Sequence, residues 1–374
     1  MTKITVHEKK IICQNPQSPF CYFAWPTVKR LPDGTLITVC SGFRLKHVCA
    51  FGKVIATYSR DEGKTWSAPA ILIDTPLDDR DAGIGVFGDG SVLVTSFNNS
   101  IAFQRSYNAL SGGEHAWYDE GKKKLSNAYL DVIESMEGAE EKYLGSLFAI
   151  SRDGGYSFGP IAKIPISAPH GPSLHPDGDL RYVGSRFDME NPASPADADP
   201  RIQCYRISSD GTFEHLGNIP DIYREGKRAY VCEPHCICLP DGRIVVHIRV
   251  HTEKKTPAAL TIYQSISTDG GYTFSAPVQI SGDCGGAPAH LCLAKNGDLI
   301  SAYGYREKPF GIRLMISRDG AKTWETDLVL DNESETHDLG YPATVELSDG
   351  RFLTVYYQKI GDQSVIIQKI WSYE

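Results

Sequence analysis

The chain has 374 residues, of which 41% are hydrophobic, 10% aromatic and 22% charged, ample for a substantial core. A formal net charge of −8 at neutral pH and a pI near 5.8 argue against a nucleic-acid partner, and no apolar run is long enough to span a membrane. The opening MTKITVHEKK lacks the apolar centre of a secretory signal, and the ten cysteines are scattered through apolar stretches, so a reduced, cytoplasmic protein is expected.

Taken in order, the chain repeats one hairpin signal six times: LPDGTL (31–36), FGDGSV (87–92), HPDGDL (175–180), LPDGRI (239–244), AKNGDL (294–299) and LSDGRF (347–352). Each Asp-Gly or Asn-Gly pair lies between apolar or alternating runs, and its glycine tolerates the positive φ that such turns demand. Between the hairpins runs a second signal, Ser-x-Asp-x-Gly-x-Thr-Trp: SRDEGKTW (59–66), SRDGGYSF (151–158), STDGGYTF (267–274) and SRDGAKTW (317–324), with SSDGTF (208–213) as a shortened copy. The Asp can hydrogen-bond the backbone of its own turn, the glycine permits a left-handed bend, and the aromatic residue can plug into the sheet. Hairpin plus box gives about four strands per unit, the make-up of a propeller blade.

Two stretches interrupt the repeat. Residues 104–143 carry apolar residues at helical spacing and predict a helical excursion within the second unit. Residues 188–200 (DMENPASPADADP) read as a loop rich in Pro and Asp, solvated or folded over the third unit as a lid. The expected fold is all-β, a six-bladed β-propeller with a helical insertion in the second blade, and residues 1–374 form a single domain.

Aligned on the turn glycine, the position nine residues back reads Trp25, Asp81, Pro169, Glu233, Pro288 and Tyr341, with Arg80, His170, His235 and His290 beside it. Seven to ten residues forward, where each second strand returns to the same end, stand Arg44, Asn98, Arg186, Arg249, Arg306 and Tyr357. Polar and ionisable residues at one end of several hairpins predict a single polar ring around an axis. Its arginines within an acidic body suit a small anion. Cys232, His235, Cys236 and Cys238 invite a zinc reading, but a strand turns the three cysteines to one face and the histidine to the other. No metal and no cofactor are expected.

The eight-residue boxes resemble the Asp boxes of the sialidase superfamily, and the resemblance runs from about Phe23 to Tyr357. It implies a six-bladed propeller in which the boxes are structural turns, and exo-acting hydrolysis of a glycoside whose terminal sugar is anionic, sialic acid first. In that family a Tyr assisted by a Glu attacks the anomeric carbon, arginines hold the sugar carboxylate, and an Asp serves as acid/base. The Tyr nucleophile is an exception to the two-carboxylate scheme of other glycosidases. The resemblance places the Glu and a clamp arginine at Glu233 and Arg249, the Tyr at Tyr341, and a further clamp arginine at Arg313, with Arg306 nearby. Two departures stand out. The chain reads Phe23-Ala24-Trp25-Pro26 where the family has a clamp arginine, leaving Arg44 as a partial substitute. The segment after the first hairpin, FRLKHVCAFGK, has no acid and offers only His47, so Asp81 beside Arg80 is the preferred acid/base. His170, His290 and Arg186 are expected to line the pocket. The expected partner is an anionic glycan, with neither nucleic acid nor membrane; the oligomeric state stays open. A propeller lyase acting on uronate glycans and a non-catalytic carbohydrate-binding propeller are the rival readings.

Overall fold

The computed structural model describes residues 2–111, 119–186, 201–252, 259–282, 286 and 288–374. The 188–200 loop and Cys284 therefore lie outside the described residues. The chain is all-β, and its sheets stand in a propeller-like arrangement. Most strands are antiparallel to their neighbours in sequence, because each Asp-Gly or Asn-Gly turn folds a strand directly back on the one before it.

Three four-stranded sheets and one five-stranded sheet stand separately. Among the described residues the other strands form one eight-stranded sheet and a two-stranded ribbon, Tyr223–Arg224 with Lys227–Arg228. Of the six blades expected, four stand as sheets of their own. Strand Tyr22–Arg30 meets the long strand Gln363–Tyr373 in a parallel bridge, Tyr22 to Ser364, and Ser364 seals the junction by bonding the carbonyls of Cys21 and Phe23. The N-terminal strand Ile4–Cys13 supplies the outer edge of the last unit by pairing with Gln363–Tyr373. The sheet with a fifth strand arises because its inner strand is broken into Ile166–Ser167 and Ser173–Leu174, both paired to Leu180–Arg186. Pro169 and Pro172 lie in the gap, and proline has no N–H to give to a ladder.

The inner strands touch one another in a closed ring: Tyr22–Arg30, Arg80–Val86, Ser173–Leu174, Val231–Cys238, Ala289–Leu293, Leu339–Glu346 and back to Tyr22–Arg30. Inner and middle strands such as Leu36–Arg44 are buried along most of their length, which explains their near-continuous apolar sequences. Glycines let the inner strands close up. A Cβ on Gly83 would stand 2.3 Å from the backbone N of Gly171 in the neighbouring sheet.

The four Ser-x-Asp-x-Gly segments connect third to fourth strands, and all four fold alike. Asp61, Asp153, Asp269 and Asp319 each accept from both the backbone N–H and the hydroxyl of the Thr or Ser four residues on, while the leading Ser accepts the N–H four residues ahead of it. Ala321, where the second glycine was expected, adopts the same left-handed turn at φ 72°. Helices Ile101–Asn108, Glu120–Glu134 and Ala139–Tyr143 stand between strands Val92–Phe97 and Ser146–Ser151, packed by Ile101, Leu130, Ile133 and Ala139. No helix of the described residues is long and apolar enough to cross a membrane.

Candidate active site

Four inner strands carry the same irregularity at the same place. In each, two residues oppose one on the partner strand: Trp25-Pro26, Asp81-Ala82, Glu233-Pro234 and Tyr341-Pro342. The first residue of each bulge is left-handed, with φ of 56° at Trp25, 47° at Asp81, 50° at Glu233 and 51° at Tyr341. Such a bulge usually takes glycine at its first position, and a side chain there is re-aimed at a cost in backbone strain. Proline fixes φ near −65° and cannot adopt this geometry, so Pro169 and Pro288 cannot open such a bulge. The repeated bulge turns Asp81, Glu233 and Tyr341 into one cavity at the end of the ring.

That cavity has a volume of ≈ 910 Å³, and its wall includes Asp81, Glu233, Tyr341, Arg80, Arg186, Arg249 and Arg306. Tyr341 donates its hydroxyl to Glu233 at 2.6 Å, and Arg249 grips the other carboxylate oxygen at 2.5 Å. Burial alone would raise the pKa of Glu233, but the Arg249 charge and the bonds from Tyr341 and Arg249 outweigh it and hold the carboxylate below its ordinary range. The phenol is pushed the other way, well above its ordinary value, by burial and by the Glu233 and Asp81 carboxylates. The resting proton therefore stays on Tyr341, with an ionised acceptor beside it. Asp81 is only 5% exposed, and burial lifts it from 3.8 to about 7 despite Arg80. Its Oδ1 is buried with no protein partner, as are Nε of Arg249 and Nε of Arg306. These are unspent hydrogen-bonding groups on the wall of a cavity.

Several expected site residues lie elsewhere. Arg44 is completely buried, paired with Asp78 at 2.5 Å, and lies against one side of Trp25 at 4.9 Å; the compact loop that follows its strand draws it inward. Arg80 covers the same ring at 4.1 Å but still reaches the cavity. Arg313 is withdrawn too. Its guanidinium is spent on the carbonyls of Asp331, Ile312 and Pro309 and on the Tyr305 ring. His170 and His290 do not line the cavity; with His235 they cluster in the core beneath it, His235 stacked on His290 at 4.4 Å and His170 edge-on to both at 5.1–5.6 Å. Burial drives all three histidines towards the neutral form. Among the described residues no group of His, Cys, Asp or Glu is placed to hold a metal ion, and nine cysteines are free thiols.

Other residues of the wall escaped the sequence reading. Tyr22, Tyr230 and Asp338 line the cavity, and each stands three residues before a bulge residue. Asp78, three before Asp81, repeats the spacing but is buried against Arg44 and Arg80. A second column drawn three positions upstream of the first would have found them. Tyr22 and Tyr357 both donate to Asp338 at 3.0 Å, and His47 Nδ1 lies 2.9 Å from the Tyr22 hydroxyl.

A family model described as a BNR repeat-like domain matches residues 147–354, more than half of the chain. The chain belongs to the BNR repeat-like family. Solved sialidase structures are similar to it in fold. A protein of unknown function from Dyadobacter fermentans is similar over 99% of both chains, at 21% identity and a TM-score of 0.71. The NanB sialidase of Streptococcus pneumoniae is similar over 96% of this chain and 70% of its own, at 15% identity and a TM-score of 0.63. Trypanosoma rangeli sialidase aligns over 93% of this chain and 54% of its own, at 14% identity and a TM-score of 0.58. At such identities the likeness speaks for the shared BNR-repeat fold. No curated protein sequence matches the chain.

Proposed function

We propose that this BNR-repeat protein is an exo-acting glycoside hydrolase for a terminal anionic sugar, with sialic acid the first candidate. In this reading the eight-stranded sheet counts as two blades of a six-bladed propeller, the three helices are an insertion in the second, and residues 1–374 act as one domain. The observation that carries the reading is the Tyr341–Glu233 contact at 2.6 Å with the Arg249 and Arg306 guanidinia beside it. A phenol approaches a carbon that bears a carboxylate with less repulsion than a carboxylate nucleophile would, and Glu233 takes its proton as it attacks. Arg249 and Arg306 each keep a buried N–H to offer the substrate's anion, and Arg186 and Arg80 add positive charge on the same wall. Two groups on the wall can carry a proton to the leaving oxygen, Asp81 and His47.

Aryl glycosides of sialic acid, related keto acids and uronic acids test the proposal. One of them should release its phenol, and a fluorinated sialosyl fluoride should leave its mass on the Tyr341 peptide after digestion. Release of an unsaturated sugar absorbing in the ultraviolet would point instead to a lyase. Binding without turnover by a parent that labels nowhere would make the chain a carbohydrate-binding propeller.

A further inference from the structure

Resting on the hydrolase reading above, we infer that His47, held by Asp338, is the acid/base that protonates the leaving group, and that Asp81 binds a sugar hydroxyl. The argument begins with depth. In an exo-acting site the leaving group faces the mouth while the terminal sugar fills the floor. Asp81 belongs to the floor, 5% exposed and in the same bulge column as the nucleophile pair. The His47 side chain is 28% exposed and lines the same cavity.

His47 is also held in place. Its backbone carbonyl accepts from Arg44 at 2.9 Å and from Arg80 at 2.8 Å, the two arginines that enclose Trp25. Its ring meets Trp25 edge-on at 5.1 Å, and Trp25 in turn lies 6.3 Å from the Tyr341 ring. The Tyr22 hydroxyl has one hydrogen and donates it to Asp338, so towards His47 it accepts; Nδ1 is the donor, with Asp338 Oδ1 a further 3.4 Å contact. Proton exchange with a ligand then runs through Nε2. Burial would raise Asp338, but the hydrogen bond and charge of His47, the Tyr357 hydroxyl and Arg306 hold it far below its ordinary value, an anion suited to support an imidazolium. Asp338 is thus a positioning residue.

The step balances as follows. As Tyr341 Oη bonds the anomeric carbon and passes its proton to Glu233, the bond from that carbon to the leaving oxygen breaks, and the oxygen takes the Nε2 proton of imidazolium His47. Water then attacks the same carbon and gives its proton to Nε2. The bond to Tyr341 breaks, and Glu233 returns the proton to the phenol oxygen. Asp81, held partly protonated near neutrality by its burial, can donate to or accept from a hydroxyl of the bound sugar.

Aryl glycosides of sialic acid with leaving groups of graded acidity test this, on the parent, His47→Gln, His47→Asn, Asp338→Asn and Asp81→Asn. A lost general acid shows as a loss of about 10²–10³-fold in kcat/KM for weakly acidic phenols that shrinks to a few-fold for strongly acidic ones. That graded pattern is expected for both His47 variants and, at about tenfold, for Asp338→Asn, while Asp81→Asn loses evenly across the series. His47→Asn keeps a donor near the Nδ1 position towards Asp338 and Tyr22, so it separates lost proton transfer from lost structure. A graded loss in Asp81→Asn with an even one at His47 would overturn the inference and leave the hydrolase reading intact. A parent that cleaves no member of the series would overturn both.

Discussion

Tyr341 and Glu233, 108 residues apart in the chain, meet at 2.6 Å because both open a bulge at the head of an inner strand. Tyr341→Phe deletes one oxygen and keeps the ring contacts with Trp25 and Tyr357. Turnover is expected to fall by about two to three decades. The folded state should lose no more than about 1–2 kcal/mol, since Arg249 still pairs with Glu233. Glu233→Gln should cost a similar factor, and the double variant little more than either alone, because the two act as one unit. Steady-state kinetics on all three, with urea melts, checks this.

The arginines should separate by place. Arg306→Ala and Arg249→Ala are expected to raise KM by tenfold or more, and Arg249→Ala should also destabilise the fold by leaving Glu233 without its counter-charge, at a cost of about 3 kcal/mol. Arg313→Ala should leave KM within about twofold while lowering stability by about 1–3 kcal/mol, since its bonds go to backbone carbonyls. A KM shift at Arg313 as large as that at Arg306 would contradict the geometry.

Asp81 makes stability depend on pH in a stated direction. Its folded value, about 7, lies above the ordinary 3.8, so the native state holds the proton more tightly than the unfolded chain does. The stabilisation is complete below about pH 4 and is lost as pH rises through about 7, to a total of up to about 4 kcal/mol. Asp81→Asn, which cannot ionise, should flatten the stability profile between those limits. Urea titrations at several pH values read the slope directly.

Close approach of the inner strands predicts a contrast between glycines. Gly83→Ala would drive a methyl into the Gly171 backbone and is expected to cost about 3 kcal/mol or more, with loss of activity as the ring is forced apart. Gly34→Ala meets no atom within 4 Å and suffers only from its φ of 89°, a cost of about 1–2 kcal/mol with activity retained. Thermal melts of the two variants separate the effects.

Much of this molecule was written locally. The six Asp/Asn-Gly turns and the Ser-x-Asp-x-Gly segments fix hairpins and blade turns through contacts a few residues long, so the repeat and the column Asp81, Glu233, Tyr341 could be read directly. The approach of Arg249 to Glu233 was equally legible, because a hairpin returns its second strand to the end where the first began. What sequence could not decide is where side chains go once sheets meet. Arg44, Arg313, His170 and His290 hold the expected positions along their strands, yet neighbouring backbone carbonyls, Asp78, Trp25 and a histidine cluster take them out of the cavity. Asp338 reached the wall unannounced, since its partners Tyr22 and His47 come from the far end of the chain and only ring closure brings them together. The single sheet that takes in both the first and the last strands was hidden for the same reason. Turn chemistry acts over neighbouring residues and is spelled out in order, whereas burial and charge pairing depend on which strands the closed ring sets side by side.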